Sequence, residues 1–156
     1  MIERIIPKQA NNNYLGSPLA FYGMILFVLL MIFSAYMHFL QPQYAANKIA
    51  NIIVFESSPD PNQIIYMVFS LWGLQQTSFV IFNLIILFSY RNLIPLMYLL
   101  WIFTWLMRPL VVGQLYPLTP EYTTGSTPGI AGLPVILSYL LIMLLMSLRQ
   151  PKDKAL

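Results

Sequence analysis

Long apolar stretches separated by short polar breaks dominate the chain. Four of them, at residues 18–40, 64–90, 92–113 and 130–148, are long enough to be read as helices that cross a bilayer. Ser17-Pro18 opens the first, with serine as N-cap and proline at the first helical position, where its missing N–H costs nothing. Its span of roughly 23 residues rises about 34 Å, enough for a hydrocarbon core of about 30 Å with some tilt. His38 falls in its last turn. The stretch that follows is polar, yet Ile49, Ile52, Ile53 and Phe55 recur at near-helical spacing, so a short helix over 45–55 lying on the membrane surface is expected. Ser58-Pro59-Asp60-Pro61 then breaks the chain.

The second stretch is the most polar inside, with Trp72-Gly73, Gln75-Gln76, Thr77-Ser78 and Asn83. Amides and small residues in a spanning helix turn towards neighbouring helices, which makes this the expected central packing helix. Tyr90-Arg91-Asn92 is so short that the second and third helices should pair as an antiparallel hairpin, with Asn92 as a cap and Pro95 tolerated in the first turn. The segment 114–129, rich in proline, threonine and glycine, should form turns. In the last stretch Pro134 precedes an almost unbroken apolar body, Leu140 to Met146, which should show much of its surface to lipid.

Composition turns this pattern into a class. With 58% hydrophobic and 8% charged residues and a mean hydropathy of +0.70, the chain lies well outside soluble usage. The expectation is an all-α membrane protein, a single domain over 1–156 with four transmembrane helices in an antiparallel bundle. Residues 1–16 read as an interfacial arm, and the first helix as a retained signal anchor. Charge supplies the orientation. Arg4, Lys8, Arg91, Arg149, Lys152 and Lys154 fall on the side of the termini, and Lys48, Glu56, Asp60 and Glu121 on the side of the two longer loops. The positive-inside rule then places both termini in the cytoplasm and both long loops outside, in a multi-pass protein of a cell inner membrane. No basic patch for nucleic acid is present.

Arg108 is the residue that stands out. An arginine in a spanning segment costs about 2.5 to 3.5 kcal/mol on insertion scales, so it faces protein, water or a counter-charge. His38, Trp72, Gln75, Gln76, Trp105 and Arg108 share one depth near the loop side, and Glu56 and Glu121 hang from the loops there. Two readings compete. One is a ligand pocket with Arg108 as anion or carbonyl anchor, His38 as proton-responsive partner and tryptophans as walls. The other has Arg108 reaching interfacial water or pairing with Glu121 or Glu56, Trp72, Trp101 and Trp105 in an aromatic belt, and Gln75 and Gln76 bonding between helices.

Other chemistries lack their parts. Without cysteine there is no disulfide, thiol redox centre, iron–sulfur cluster or thiolate zinc site. A single histidine cannot supply bis-histidine haem ligation, and no acidic residue lies inside a span to couple protons to export. The nine methionines lack the clustered spacing of a metal path. No nucleophile–base pair and no phosphate-cradling glycine loop is visible, so no catalytic residue, metal or cofactor is assigned.

Several strings nonetheless resemble a family of small, uncharacterised four-helix bacterial integral membrane proteins. They are Tyr14-x-Gly16-Ser17, His38, Trp72-Gly73-Leu74-x-Gln76, Tyr90-Arg91-x-Leu93-Ile94-Pro95-Leu96-Met97-Tyr98, Arg108 and Pro128-Gly129. The resemblance implies the four-helix architecture and no activity. Members similar to this chain often carry an acidic residue a few positions before the arginine, where Thr104 or a neighbour stands here. Two functions follow as expectations. The first is a non-catalytic accessory or scaffold subunit that packs against a partner membrane protein or its own copies within the lipid bilayer. The alternative is a binding protein or enzyme for a lipid, quinone or isoprenoid, with its polar end at Arg108 and His38. Transport ranks last, since four helices without a central charge make a poor pore.

Overall fold

The computed structural model describes residues 2–149, and its regular structure is helical, with one isolated antiparallel bridge, Ile52 to Thr123, among the described residues. We number the long helices α1 (Pro18–Leu40), α2 (Asn62–Ser89), α3 (Arg91–Leu115) and α4 (Leu133–Leu148). The first three are long and apolar enough to cross a membrane; α4 is apolar but only 16 residues long. Lys152 and Lys154 lie outside the described residues.

Local chemistry explains the boundaries. Ser17 caps α1 by accepting the Leu19 N–H, and Pro18 occupies the first turn. The helix expected at 130–148 is interrupted: Pro128–Ala131 forms one turn, the chain bends at Gly132, and α4 begins at Leu133. Pro134 has no N–H to donate back to Ile130, so continuity fails there. In α3 the same deficiency at Pro109 is absorbed differently, by widening Arg108–Val112 into a π turn before Gly113–Leu115 closes the helix.

Two expected features are corrected. The surface helix at 45–55 is instead Pro42–Tyr44 continued by a π turn, Ala45–Ile49. It stops because Asn51 takes a left-handed conformation, φ 57°, which asparagine tolerates and which ends helices. Residues 52–55 run extended to meet the second loop, where Ile53 N–H donates to Tyr122 O and Thr124 N–H to Asn51 O. Asn92, expected to cap α3, fastens the N-terminal arm: its Oδ1 accepts from Asn11 N–H and its Nδ2 donates to Gln9 O. The arm is therefore pinned, with Arg4 donating to Leu148 O and Ser17 N–H to Met146 O. Burial raises the Tyr14 phenol above its ordinary range, and its hydroxyl donates to Ser17 O. The N-terminal arm, the end of α4 and the α2–α3 turn thus share one end of the bundle, and the two loops are stitched together at the other.

Packing order differs from expectation most. The central helix is α1, which lies against α2 on one side and α4 on the other, while α3 packs mainly on α4. Met24, Phe27, Val28, Met31, Ile86, Met97, Tyr98, Trp101 and Leu140 form the buried core. On α1, Ala20 O accepts the Tyr98 hydroxyl at 2.6 Å and Gly23 O the Tyr139 hydroxyl at 2.8 Å, which ties α3 and α4 to it. Against α2 the contact is closer still. Gly73 faces the backbone of His38 and Phe39, where any Cβ would collide, and Ser70 Oγ donates to Phe39 O at 2.9 Å. By contrast, α2 and α3, joined by the shortest turn, have little backbone proximity beyond it.

Gly73→Val should therefore force α1 and α2 apart and destabilise the protein by about 1–3 kcal/mol, the usual effect of overpacking. Gly129→Ala, where an added Cβ meets nothing within 4 Å, should not lower the unfolding midpoint in detergent.

Candidate functional site

Because α2 follows α1 and α3 follows α4, the second and third helices diverge towards the loop end. Large side chains bridge the gap halfway, where Trp101 Nε1–H donates to Asn83 Oδ1 at 3.2 Å and the Phe79 and Trp101 rings lie 4.5 Å apart. Asn83 is 1% exposed and donates its own Nδ2 to Phe79 O, so this polar bridge is fully used. Beyond it opens a cleft of about 300 Å³ lined by Trp72, Gln75, Gln76 and Phe79 of α2 and Leu100, Trp101, Phe103, Thr104 and Arg108 of α3. Trp72 and Phe103 at its rim are 38% and 59% exposed, so it opens sideways, towards what would be lipid.

Arg108 is half-buried at the first residue of the π turn. Its guanidinium lies 4.4 Å from the Trp105 ring centroid and 5.2 Å from that of Trp72. Guanidinium over an indole face is attractive by about 0.5 to 2 kcal/mol according to desolvation. It has no carboxylate within salt-bridge distance: among the described residues the ion pair is Lys8 with Glu3, and Glu56 and Glu121 stand exposed on the loops. The expected pairing of Arg108 with Glu121 or Glu56 is thus not formed in this structure.

His38 lies behind the Trp72 wall, its ring centroid 4.4 Å from the indole, edge to face. Nδ1 is 2.7 Å from Ser34 O, one turn back on α1. A carbonyl only accepts, so Nδ1 carries the hydrogen and the neutral ring keeps its lone pair on Nε2. Ser34 Oγ donates to Gln76 Oε1 at 3.0 Å, joining α1 to the cleft. Gln76 is 6% exposed, and its Nε2 has no partner; Trp105, at 5%, likewise leaves Nε1 without one. Gln75 also lines the cleft but is exposed. Thr104 donates its hydroxyl to Leu100 O.

The structure brings His38, Trp72, Gln75, Gln76, Trp105 and Arg108 together and leaves Glu56 and Glu121 apart from them. Sequence reading did not find Ser34, although its position four residues before His38 places the two on one helix face, nor the role of Asn83 as the bridge that closes the inner end of the cleft. No group of three or more metal-ligating side chains occurs among the described residues.

The fold and the cleft define a class, an all-helical protein with three helices long and apolar enough to cross a membrane. No family model matches the chain, and no characterised protein and no solved structure is detectably similar to it.

A double-mutant cycle checks whether the Ser34–Gln76 bond couples α1 to the cleft. Ser34→Ala and Gln76→Leu should show an interaction free energy of about 0.6 kcal/mol, and at most about 1.7, in detergent unfolding; strict additivity would mean that the bond contributes nothing.

Proposed function

We propose that this protein binds a lipophilic molecule that enters from the bilayer between α2 and α3, with its polar end at Arg108. The observation that carries the reading is the cleft itself: a lateral opening with aromatic walls, closed at its inner end by Asn83 and Trp101, with a guanidinium at its loop-side end that pairs with no carboxylate among the described residues. An apolar pocket with a few convergent polar groups is the ordinary form of a ligand site. The accessory or scaffold role draws on the exposed apolar flanks, which a bilayer covers equally well, and it leaves the cleft without a purpose.

In this reading α4, with the turn before it, completes a fourth span in a cell inner membrane. Arg4, Lys8, Arg91 and Arg149 lie at the end of the N-terminal arm and the α2–α3 turn, against Lys48 at the loop end, which supports a cytoplasmic location for both termini. The loops would then face outwards, and the site would sit in the outer leaflet. Arg108 is seven residues from the end of α3, about 10 Å along the axis, a depth suited to the boundary between headgroups and acyl chains.

Two measurements test these points. Native mass spectrometry of the full chain from mild detergent should show a retained lipophilic molecule that Leu100→Trp, filling the cleft, releases without lowering the unfolding midpoint; a wild-type protein that carries none when lipid is supplied would remove the main support. The absence of cysteine makes single-cysteine labelling clean. Ser57→Cys should react with an impermeant maleimide in intact cells and Asn12→Cys only after lysis, and the reverse pattern would invert the topology.

A further inference from the structure

We infer that the occupant of the cleft is an anionic amphiphile, whose head is an oxyanion with net negative charge and whose tail continues into the bilayer between α2 and α3. The inference rests on the reading of the cleft as a lipophile site and adds the chemistry of the head.

Three donor groups stand without a hydrogen-bond partner at the loop-side end, beside the exposed amide of Gln75. Arg108 lines the cleft and has aromatic faces but no carboxylate about it. Gln76 lines it too, and more than nine-tenths of it is buried; Oε1 accepts from Ser34, and Nε2–H has no partner. Beside the guanidinium, the buried Trp105 Nε1–H is unpartnered as well. The acceptors nearby are neutral and partly engaged: Asn83 Oδ1 accepts from Trp101, the Thr104 hydroxyl donates to Leu100 O, and Gln75 is exposed. The buried groups without partners are all donors, and a phosphate or carboxylate is an acceptor throughout and matches the guanidinium fork.

Charge separates an oxyanion from a neutral acceptor such as a quinone carbonyl. A half-buried cation gains from a counter-charge, and indole faces supply a fraction of what a full counter-charge supplies. The remaining charge is left for the occupant. Size agrees, since about 300 Å³ is at the small end of ligand pockets and holds a head with the first part of a chain, and the exposed rim at Trp72 and Phe103 lets the rest run out sideways.

The three tryptophans of the chain, Trp72, Trp101 and Trp105, all line or adjoin this site, so intrinsic fluorescence reports on it with no label. The full chain is placed in phosphatidylcholine vesicles containing a low mole fraction of phosphatidic acid with brominated acyl chains. Quenching should exceed by several-fold that produced by brominated phosphatidylcholine at the same fraction. In Arg108→Gln the two lipids should quench equally, and Arg108→Lys should restore part of the preference. Soluble inorganic phosphate should not relieve the quenching; relief would assign the head site to the free anion and overturn the lipid-borne form. Equal quenching by both lipids in the wild-type protein would overturn the oxyanion while leaving lipophile binding standing, because retention of a molecule displaced by Leu100→Trp is read separately. A preference that survives in a folded Arg108→Gln protein would overturn the role of Arg108. Should Arg108→Gln fail to fold, the wild-type comparison of the two lipids still decides.

Discussion

The close approach of α1 and α2 at Gly73 governs the rest of the architecture. With no side chain on α2 at that level, its backbone meets His38 and Phe39, and Ser70 and Gln76 add hydrogen bonds from the same face. Within lipid there is no general hydrophobic force between helices, so close packing and such bonds decide who neighbours whom. Since α2 spends its small and polar face on α1, it has no comparable face left for α3. That helix turns to α4 and to Ala20 of α1 through Tyr98. The cleft is the geometrical result of a helix pair joined by a short turn and drawn to different partners.

Helix existence was legible in the sequence because apolar runs of about 20 residues have few other interpretations. The start of α1 could be read as well, since Ser17-Pro18 is a local signal and is realised locally. Neighbour choice was not. The polarity of the second stretch correctly indicated that it makes interhelical bonds, but hydropathy does not say with which helix, and a short turn favours the sequence neighbour. The role of Asn92 was missed for a related reason: a capping residue and a side chain that fastens a distant arm look identical until Gln9 and Asn11 are placed beside it.

The candidate site was legible as a set and illegible as a circuit. His38, Trp72, Gln76, Trp105 and Arg108 share a depth, and depth follows from helix rise alone. What depth cannot give is rotation about the axis. Gln75 and Gln76 are adjacent in sequence, yet one is exposed and the other buried with its carbonyl held by Ser34. The loop carboxylates share the same level and still stand apart from Arg108, because Ile52, Ile53, Tyr122 and Thr123 zip the two loops to each other.

Pro109 supplies the last step. A proline after the arginine removes a backbone donor, and the helix accommodates it by a π turn that begins at Arg108. Such turns leave carbonyl and side-chain directions that a regular α-helix does not have, and they are found disproportionately at functional sites. Were Arg108 only an interfacial anchor, a plain helix with a long side chain reaching to water would serve. Instead the chain keeps a wider turn, holds the guanidinium between the indoles of two different helices, and leaves buried donors at Gln76 and Trp105 without partners. The buried donors without partners cost stability, and an acceptor placed beside Arg108 would offset that cost.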